Sequence, residues 1–224
     1  MILAAGRGER MRPLTDRTPK PLLTVGGIPL IEHTIGRLRS AGYRELVVNI
    51  AHLGDQIEER LGTGEQLGVV IRYSREPPGA LETAGGIRDA LPWLGSTPFL
   101  VINGDVWCDH SLRPPVLDSA AMAHLVLVAN PAYHPGGDFT LEAGRVGLSE
   151  APRYTFSGIG WYRPELFAGL ARGRQPLAPV LRAAIADGQV TGELHARTWI
   201  DIGTPDRLLE LDRQYRKRNP DVPG

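Results

Sequence analysis

Small residues and positive charges stand together near the start of the chain. The segment Leu3–Arg10 reads Leu-Ala-Ala-Gly-Arg-Gly-Glu-Arg, with Gly6 and Gly8 directly after a short apolar run. Small residues let the backbone turn sharply and approach a ligand, so that N–H groups can face phosphate oxygens. Arg10 and Lys20 add positive charge that suits the anionic oxygens of a triphosphate.

The same segment excludes two common phosphate loops. Met11 stands where a dinucleotide-binding fingerprint has its third glycine, and the Gly-Lys-Ser/Thr of a Walker A loop is missing. Gly6-x-Gly8 alone is more typical of a glycine-rich turn with solvated charges. Thr18–Pro21, which reads Thr-Pro-Lys-Pro, favours a site, because two prolines hold the chain extended around one lysine.

Two acidic residues follow apolar segments elsewhere in the chain. Asp105 ends the run Val101-Ile-Asn-Gly-Asp, and Asp201 stands in Trp199-Ile-Asp-Ile-Gly-Thr. Open α/β sheets bind ligands at the carboxyl ends of their strands, and Mg²⁺ prefers one or two protein carboxylates plus waters and phosphates. The alternatives stay open on the residues alone: Asp105 could close a turn, and Asp201 could accept from nearby backbone donors.

The elements that must position these residues alternate between strands and helices. Apolar runs predict strands at 1–3, 45–50, 69–74 and 99–103, and helical periodicity predicts helices at 29–41, 55–61 and 83–91, the last ended by Pro92. The alternation of strands and helices, with continuous apolar strands, predicts an α/β fold. We expect a Rossmann-like, doubly wound sheet that is mixed but mainly parallel.

The second half predicts a more mixed pattern. We expect strands at 124–130, 138–147 and 155–161, and helices at 177–187 and 205–218, the last capped by Thr204 with Pro205 at its first position. One domain over 1–224 is predicted, with one half at 1–110 and the other at 111–224.

Composition narrows the class of protein. The 224 residues carry 25 basic and 25 acidic side chains, which argues against a nucleic-acid binder. The longest apolar runs fall short of the roughly 20 residues that span a bilayer. A soluble, cytoplasmic protein without membrane or nucleic-acid partners is predicted. The one cysteine, Cys108, is expected to be a buried, inert thiol. Six histidines show no metal-ligand spacing and are predicted to be solvated or structural: His33, His52, His110, His124, His134 and His195.

Three ordered segments, Leu3–Thr15, Pro19–Leu23 and Gly27–Ile31, resemble the signature of the nucleotide-diphosphate-sugar pyrophosphorylases. The resemblance implies that Arg10 and Lys20 act in catalysis by neutralising phosphates, and that Asp105 and Asp201 bind Mg²⁺. The residues it assigns to the nucleotide are Ala4, Ala5, Gly6, Gly8, Lys20 and Asn103. Because such families carry a residue or more before the first strand, the strand at Met1 is expected to be slightly shortened.

A fourth segment, Pro77–Gly86, is rich in small residues. Small residues here would let a flat nucleobase lie against the backbone, with the next helix N-terminus near the phosphates. The alternative is a Pro/Gly loop followed by a helix whose first turn carries Glu82. The resemblance assigns Gly79, Ala80 and Glu82 to the nucleotide.

Four further segments carry a narrower resemblance: Leu81–Ile87, Asn103–Trp107, Gly137–Leu141 and Phe156–Gly160. They resemble the corresponding segments of the family members that uridylylate N-acetylmuramate 1-phosphate in peptidoglycan recycling. The resemblance implies a nucleotide-binding half at 1–110 and a sugar-binding half at 111–224. This resemblance implies UTP and a sugar 1-phosphate as substrates and UDP-sugar and pyrophosphate as products. It assigns Trp107, Asp138, Glu150 and Asp201 to the sugar side. The family's usual Glu-Lys-Pro triplet is Glu150-Ala-Pro here, so its lysine is absent, and Arg153 is a candidate for the lactyl carboxylate.

Two other functions remain open. The nearer is a glucose- or mannose-1-phosphate nucleotidyltransferase, or a phosphocholine cytidylyltransferase, with the same catalytic half. The farther is a non-catalytic regulatory subunit that senses nucleotide sugars. The presence of Arg10, Lys20, Asp105 and Asp201 argues against the second, because a sensor could lose them.

Overall fold

A computed structural model describes residues 1–77, 79 and 81–220, and the chain forms two compact units. The first unit comprises 2–80, 104–107 and 200–224, and the second comprises Met1, 81–103 and 108–199. Each unit therefore draws on both predicted halves of the chain. The prediction of one domain with a boundary near residue 110 stays a prediction.

The strands carry the labels used below in chain order. They are β1 (Ile2–Leu3), β2 (Thr24–Val25), β3 (Ile28–Pro29), β4 (Glu45–Ile50), β5 (Val70–Arg75), β6 (Phe99–Asn103), β7 (Val106–Cys108), β8 (Ala123–Val128), β9 (Thr140–Glu142), β10 (Arg145–Gly147), β11 (Thr155–Tyr162), β12 (Val190–His195) and β13 (Trp199–Asp201).

The α-helices are labelled in the same way. They are α1 (Leu30–Ser40), α2 (Gly54–Leu61), α3 (Glu82–Leu94), α4 (Glu165–Ala168), α5 (Leu177–Ala186) and α6 (Pro205–Arg218). Helix α1 buries Ile31, Ile35 and Leu38 on one face, as the spacing predicts. No helix among the described residues is long and apolar enough to cross a membrane.

Parallel strands form the sheet of the first unit. Strand β4 pairs in parallel with β1 on one side and with β5 on the other. All residues of β4 after Glu45 are buried, as expected for a central parallel strand. A hydrophobic cluster packs α6 against the N-terminal segment, and its buried members are Met11, Leu23, Val25, Leu30, Ile202, Leu208 and Leu211. Met11 is completely buried there. The residue that stands where a dinucleotide fingerprint has its third glycine is therefore a core side chain.

The second unit carries six strands in the order β6-β11-β8-β12-β10-β9. Strands β8 and β12 are parallel, and the other pairs are antiparallel. The mixed pairing and the flanking helices confirm the α/β class. Strands β9 and β10 form a hairpin within the segment predicted as one strand, because Ala143 and Gly144 turn the chain at positive φ.

The structure corrects one predicted helix boundary and contains a strand that the sequence analysis missed. Helix α3 continues through Pro92 to Leu94. Pro92 lies in the last turn, so the bond lost with its N–H and the crowding by its ring fall at the end of the helix, where only two residues follow. Strand β12 was not predicted. Its sequence, Val-Thr-Gly-Glu-Leu-His, contains a glycine and lacks a continuous apolar run, and its partner β8 is more than 60 residues away in sequence.

Two helical glycines are expected to respond in opposite ways to alanine. A Cβ at Gly85 in α3 would collide with the carbonyl oxygen of Gly173, whereas a Cβ at Gly36 in α1 would meet no described atom within 4 Å. Gly85→Ala should lower the free energy of unfolding by roughly 1–3 kcal/mol. Gly36→Ala should raise it by about 0.5–1 kcal/mol through helix propensity.

Urea denaturation followed by circular dichroism measures both changes. The collision at Gly85 would be contradicted if the Gly85→Ala midpoint matched or exceeded that of the unmodified protein. The Gly36→Ala variant controls for the general effect of adding a methyl group to a helix.

Candidate active site

The glycine loop packs directly against the lysine segment. Gly8 is in the left-handed conformation with φ 64°, and a Cβ there would lie 3.2 Å from Cβ of Lys20 and 3.0 Å from Cγ2 of Thr15. A side chain at Gly8 would therefore be strained and would displace the lysine. A Cβ at Gly6 would meet no described atom within 4 Å, so this exposed loop has space beside it for a ligand.

Asn49, at the end of β4, holds the start of the loop. The N–H of Ala4 donates to Oδ1 of Asn49 (2.8 Å), and Nδ2 of Asn49 donates to Oε1 of Glu76 (2.6 Å). The N–H of Ala4 is thus used within the fold, while Ala4 and Ala5 are buried. Asn49 was missed by the sequence analysis, although a polar residue within a buried apolar strand is a signal of such a role.

Lys20 and Asp105 form a partly buried ion pair. Nζ of Lys20 donates to Oδ2 of Asp105 at 2.5 Å, and the side chains are 10% and 30% exposed. Gly104 allows this arrangement, because a Cβ there would lie 2.7 Å from the carbonyl oxygen of Leu3. Sequence reasoning named both charged residues but not their pairing, which joins positions 85 residues apart.

Asp201 lies beside the backbone of Asp105. The N–H of Ile202 donates to the carbonyl oxygen of Asp105 (3.0 Å), and Oδ2 of Asp201 accepts from Nη1 of Arg207 (3.0 Å). Arg207 stands in the first turn of α6, whose N-cap Thr204 accepts from the Arg207 N–H (3.5 Å). The predicted cap is confirmed, whereas the role of Arg207 in orienting Asp201 was missed.

Arg10 reaches the same region. A Cβ at Gly203 would lie 3.2 Å from both Nη atoms of Arg10 and 2.9 Å from Oδ2 of Asp201. The guanidinium and the carboxylate therefore flank one glycine. Contacts thus link four predicted residues within the first unit: Arg10, Lys20, Asp105 and Asp201.

The donor set of this region fits a hard divalent cation. Asp105 and Asp201 supply carboxylate oxygens, the ligands that Mg²⁺ prefers, and sulfur or imidazole ligands are not among the contacts described above. Both carboxylates are compensated by cationic side chains, Lys20 and Arg207.

Trp107 packs in an aromatic group. Its ring centroid lies 4.9 Å from that of His33 and 5.7 Å from that of Tyr215, and it joins the hydrophobic cluster of α6. This packing explains the position of the Trp107 indole without a bound sugar. A contact between Trp107 and the sugar acceptor stays a prediction.

The nucleotide residues predicted after β5 are only partly described. Gly79 is exposed with φ 109°, and Ala80 lies outside the described residues. Glu82 begins α3 and accepts from Nη2 of Arg174 at 2.5 Å. Gly85 packs against the backbone of residues 173–175, where a side chain would not fit. This packing explains the glycine without a bound nucleobase.

Asn103 ends β6 and packs on the β-bulge of β11. A Cβ at Gly158, which has φ 79°, would lie 2.6 Å from Nδ2 of Asn103. The bulge between Phe156 and Ile159 therefore accommodates the Asn103 amide. A nucleotide contact by Asn103 stays a prediction.

Asp138 and Glu150 have different surroundings in the second unit. Oδ2 of Asp138 accepts from the Phe156 N–H (2.8 Å), and Oδ1 contacts Nε2 of His134 (3.1 Å). Glu150 is exposed and lines a cavity of about 500 Å³ together with Arg153 and five other residues. Nε of Arg153 donates to the carbonyl oxygen of Ser149 (3.2 Å), so the guanidinium is anchored beside this cavity.

Comparison with known proteins gives a consistent answer. The family described as nucleotidyl transferase matches residues 1–136. The chain is 52% identical to the N-acetylmuramate alpha-1-phosphate uridylyltransferase of Neisseria meningitidis serogroup B over 94% of this chain and 95% of that protein. It is 35% identical to the enzyme of the same name from Caulobacter vibrioides over 95% and 94% of the two chains.

A crystal structure from Bacillus anthracis, assigned as a glucose-1-phosphate thymidylyltransferase in complex with sucrose, superposes with a TM-score of 0.83. It covers 100% of this chain and 95% of that chain at 23% identity, which shows the shared fold. The matched family includes the glycine loop, Lys20 and Asp105 within residues 1–136. The chain therefore belongs to the nucleotidyl transferase family.

Proposed function

We propose that the protein transfers UMP from UTP to N-acetylmuramate 1-phosphate, giving the UDP-sugar and pyrophosphate in peptidoglycan recycling in the cytoplasm. The partly buried Lys20–Asp105 pair against Gly8 carries the reaction class, because it places a cation and a carboxylate beside an open backbone loop. The uridylyltransferase relatives support the choice of UTP and of the muramic substrate.

The reaction requires no general base. A phosphate oxygen of the sugar 1-phosphate forms a bond to the α-phosphorus of UTP, and the bond from that phosphorus to the bridging oxygen of the β-phosphate breaks. The nucleophile is already an anion, and pyrophosphate leaves with the electron pair. The protein therefore contributes positioning and charge compensation.

The residues of the first unit divide this work. Gly6 and Gly8 let the loop approach the triphosphate, and Lys20 and Arg10 compensate its charge. Asp105 and Asp201 would hold Mg²⁺, with Arg207 orienting the Asp201 carboxylate. Nucleotidyl transferases of this kind generally use a divalent metal ion, which when bound compensates phosphate charge.

The acceptor side rests on residues of the second unit. We propose that Asp138 and Glu150 contact the sugar and that Arg153 receives the lactyl carboxylate, because its guanidinium is anchored at a cavity wall. Trp107, Asn103, Gly79, Ala80 and Glu82 complete the proposed substrate contacts.

Pyrophosphate release by the purified full-length protein tests this proposal. A panel should combine each nucleoside triphosphate with N-acetylmuramate, N-acetylglucosamine, glucose and mannose 1-phosphates and with phosphocholine, with and without Mg²⁺. We expect the highest kcat/KM for UTP with N-acetylmuramate 1-phosphate. N-acetylglucosamine 1-phosphate is the matched control, because it lacks only the lactyl group.

Two outcomes separate the alternatives. A higher kcat/KM with glucose, mannose or choline phosphates would replace the muramic substrate with the nearer alternative. Release with no pair would favour the regulatory subunit that senses nucleotide sugars.

A further inference from the structure

Metal-ligating side chains gather in the second unit at the ends of β7 and β12. We call this set the histidine cluster, and its members are Cys108, Asp109, His110, His124, Glu193 and His195. The rings of His110 and His195 lie 5.3 Å apart, and both His110 and His124 pack near Trp161. The sequence analysis predicted these histidines to be solvated or structural, because their spacing along the chain matches no metal motif. It predicted Cys108 to be a buried, inert thiol.

Three members of the cluster converge on one point. The ligand atoms of Cys108, Asp109 and His195 all lie within 4.8 Å of one another. Nε2 of His195 is 2.8 Å from Oδ1 of Asp109. Ligands of a tetrahedral zinc ion lie roughly 3.4–3.8 Å apart, given metal–ligand distances of about 2.0–2.3 Å. Small side-chain movements would therefore bring all three atoms into range.

We propose that Cys108, Asp109 and His195 form a site for a thiophilic divalent ion of the Zn²⁺ class. A thiolate, an imidazole and a carboxylate are ligands that zinc accepts together. Mg²⁺ selects oxygen ligands, so this site and the Asp105–Asp201 carboxylates would take different metals. The site is independent of the proposed uridylyl transfer.

A second carboxylate of the histidine cluster, that of Glu193, contacts two of its imidazoles. Nδ1 of His110 accepts from the Leu112 N–H (3.1 Å), so its Nε2 carries the proton that it donates to Oε1 of Glu193 (3.0 Å). This contact holds the Glu193 carboxylate beside the histidine cluster.

His124 lies beside the same carboxylate. The hydroxyl of Thr191 donates to the carbonyl oxygen of Ala123 (3.3 Å) and so accepts from Nδ1 of His124 (2.9 Å). Nε2 of His124 is buried, finds no hydrogen-bond partner in the described part of the chain, and lies 3.6 Å from Oε1 of Glu193. Burial lowers the pKa of His124, and the nearby Glu193 carboxylate opposes that shift.

One cation already faces the proposed site. Nε of Arg197 lies 3.3 Å from Oδ2 of Asp109, but its side chain is 77% exposed and can turn into solvent. The side chains of His195 and Asp109 are 8% and 34% exposed, and Cys108 is buried. An ion would therefore enter past Asp109 and reach the thiol last.

Cobalt substitution tests the proposal in the whole 224-residue chain. Protein freed of metal with a chelator is titrated with Co²⁺ and then with Zn²⁺ in a large excess of Mg²⁺. We expect one equivalent of Co²⁺ to produce a thiolate-to-cobalt charge-transfer band that Zn²⁺ removes and Mg²⁺ leaves unchanged. Cys108→Ser should abolish the band, and both Cys108→Ser and His195→Gln should weaken Zn²⁺ binding roughly 100-fold or more.

His134→Gln is the matched control, because His134 and Asp138 form a similar pair outside the cluster at 3.1 Å. Its Zn²⁺ affinity should equal that of the unmodified protein. No saturable binding, a band that persists in Cys108→Ser, or an equal loss in His134→Gln would each overturn the proposal.

If the cysteine or histidine variants fail to fold, X-ray absorption of the unmodified zinc-loaded protein decides. The chain has a single cysteine, so we expect one sulfur at about 2.3 Å from zinc. A shell of nitrogen and oxygen alone would refute the site.

Discussion

Lys20→Ala is expected to lower kcat roughly 100- to 1,000-fold, the loss typical of removing one preorganised charge-compensating donor. Lys20 is held at 10% side-chain exposure by the Gly8 loop and by Asp105, so its ammonium is preorganised. Alanine leaves the Asp105 carboxylate, which is 30% exposed, without this partner, so the free energy of unfolding also falls.

Steady-state pyrophosphate release at saturating substrates measures kcat, and urea denaturation measures the unfolding free energy. Arg12→Ala is the matched control, because Arg12 forms an exposed ion pair with Asp16 in the same segment at 3.0 Å. We expect its kcat to be unchanged and its stability to change by at most about 0.5 kcal/mol. A Lys20→Ala variant with kcat within a factor of two of the parent would remove Lys20 from the catalytic residues.

Asp105→Asn and Asp201→Asn should each lower kcat/KM by roughly 30- to 1,000-fold, equivalent to about 2–4 kcal/mol of barrier. Both changes keep the size of the side chain but remove a negative charge from the proposed Mg²⁺ ligands. We therefore also expect each variant to need a higher Mg²⁺ concentration for half-maximal rate.

A Mg²⁺ titration of the rate checks this prediction. Asp212→Asn is the control, because Asp212 in α6 is a structural carboxylate that accepts from the Gly26 N–H (2.6 Å) and from Nε of Arg216 (2.8 Å). Its loss should lower stability and leave the Mg²⁺ requirement unchanged. If the Asp105 and Asp201 variants kept the parent's Mg²⁺ requirement, the metal would have to bind elsewhere.

Secondary-structure elements whose boundaries depend on neighbouring residues could be predicted from the sequence. Helix α6 begins at Pro205 because Thr204 caps it and proline needs no N–H partner there, and both facts lie within neighbouring residues. Helix α1 shows its buried face in its spacing. Strand β12 was missed because its pairing with β8 comes from distant residues, and Pro92 was misjudged because its cost depends on where the helix ends.

The order of the glycine loop, the Pro-Lys-Pro segment and the two strand-end aspartates determined the family and the identity of the charged residues. Those features are local, so each can be read from a short stretch of sequence. Tertiary structure alone decided that Lys20 pairs with Asp105, that Arg207 orients Asp201, and that Cys108 and Asp109 meet His195. Each of the pairings with Asp105 and His195 joins positions more than 80 residues apart. Their proximity depends on sheet register and core packing, which local patterns of residues do not specify.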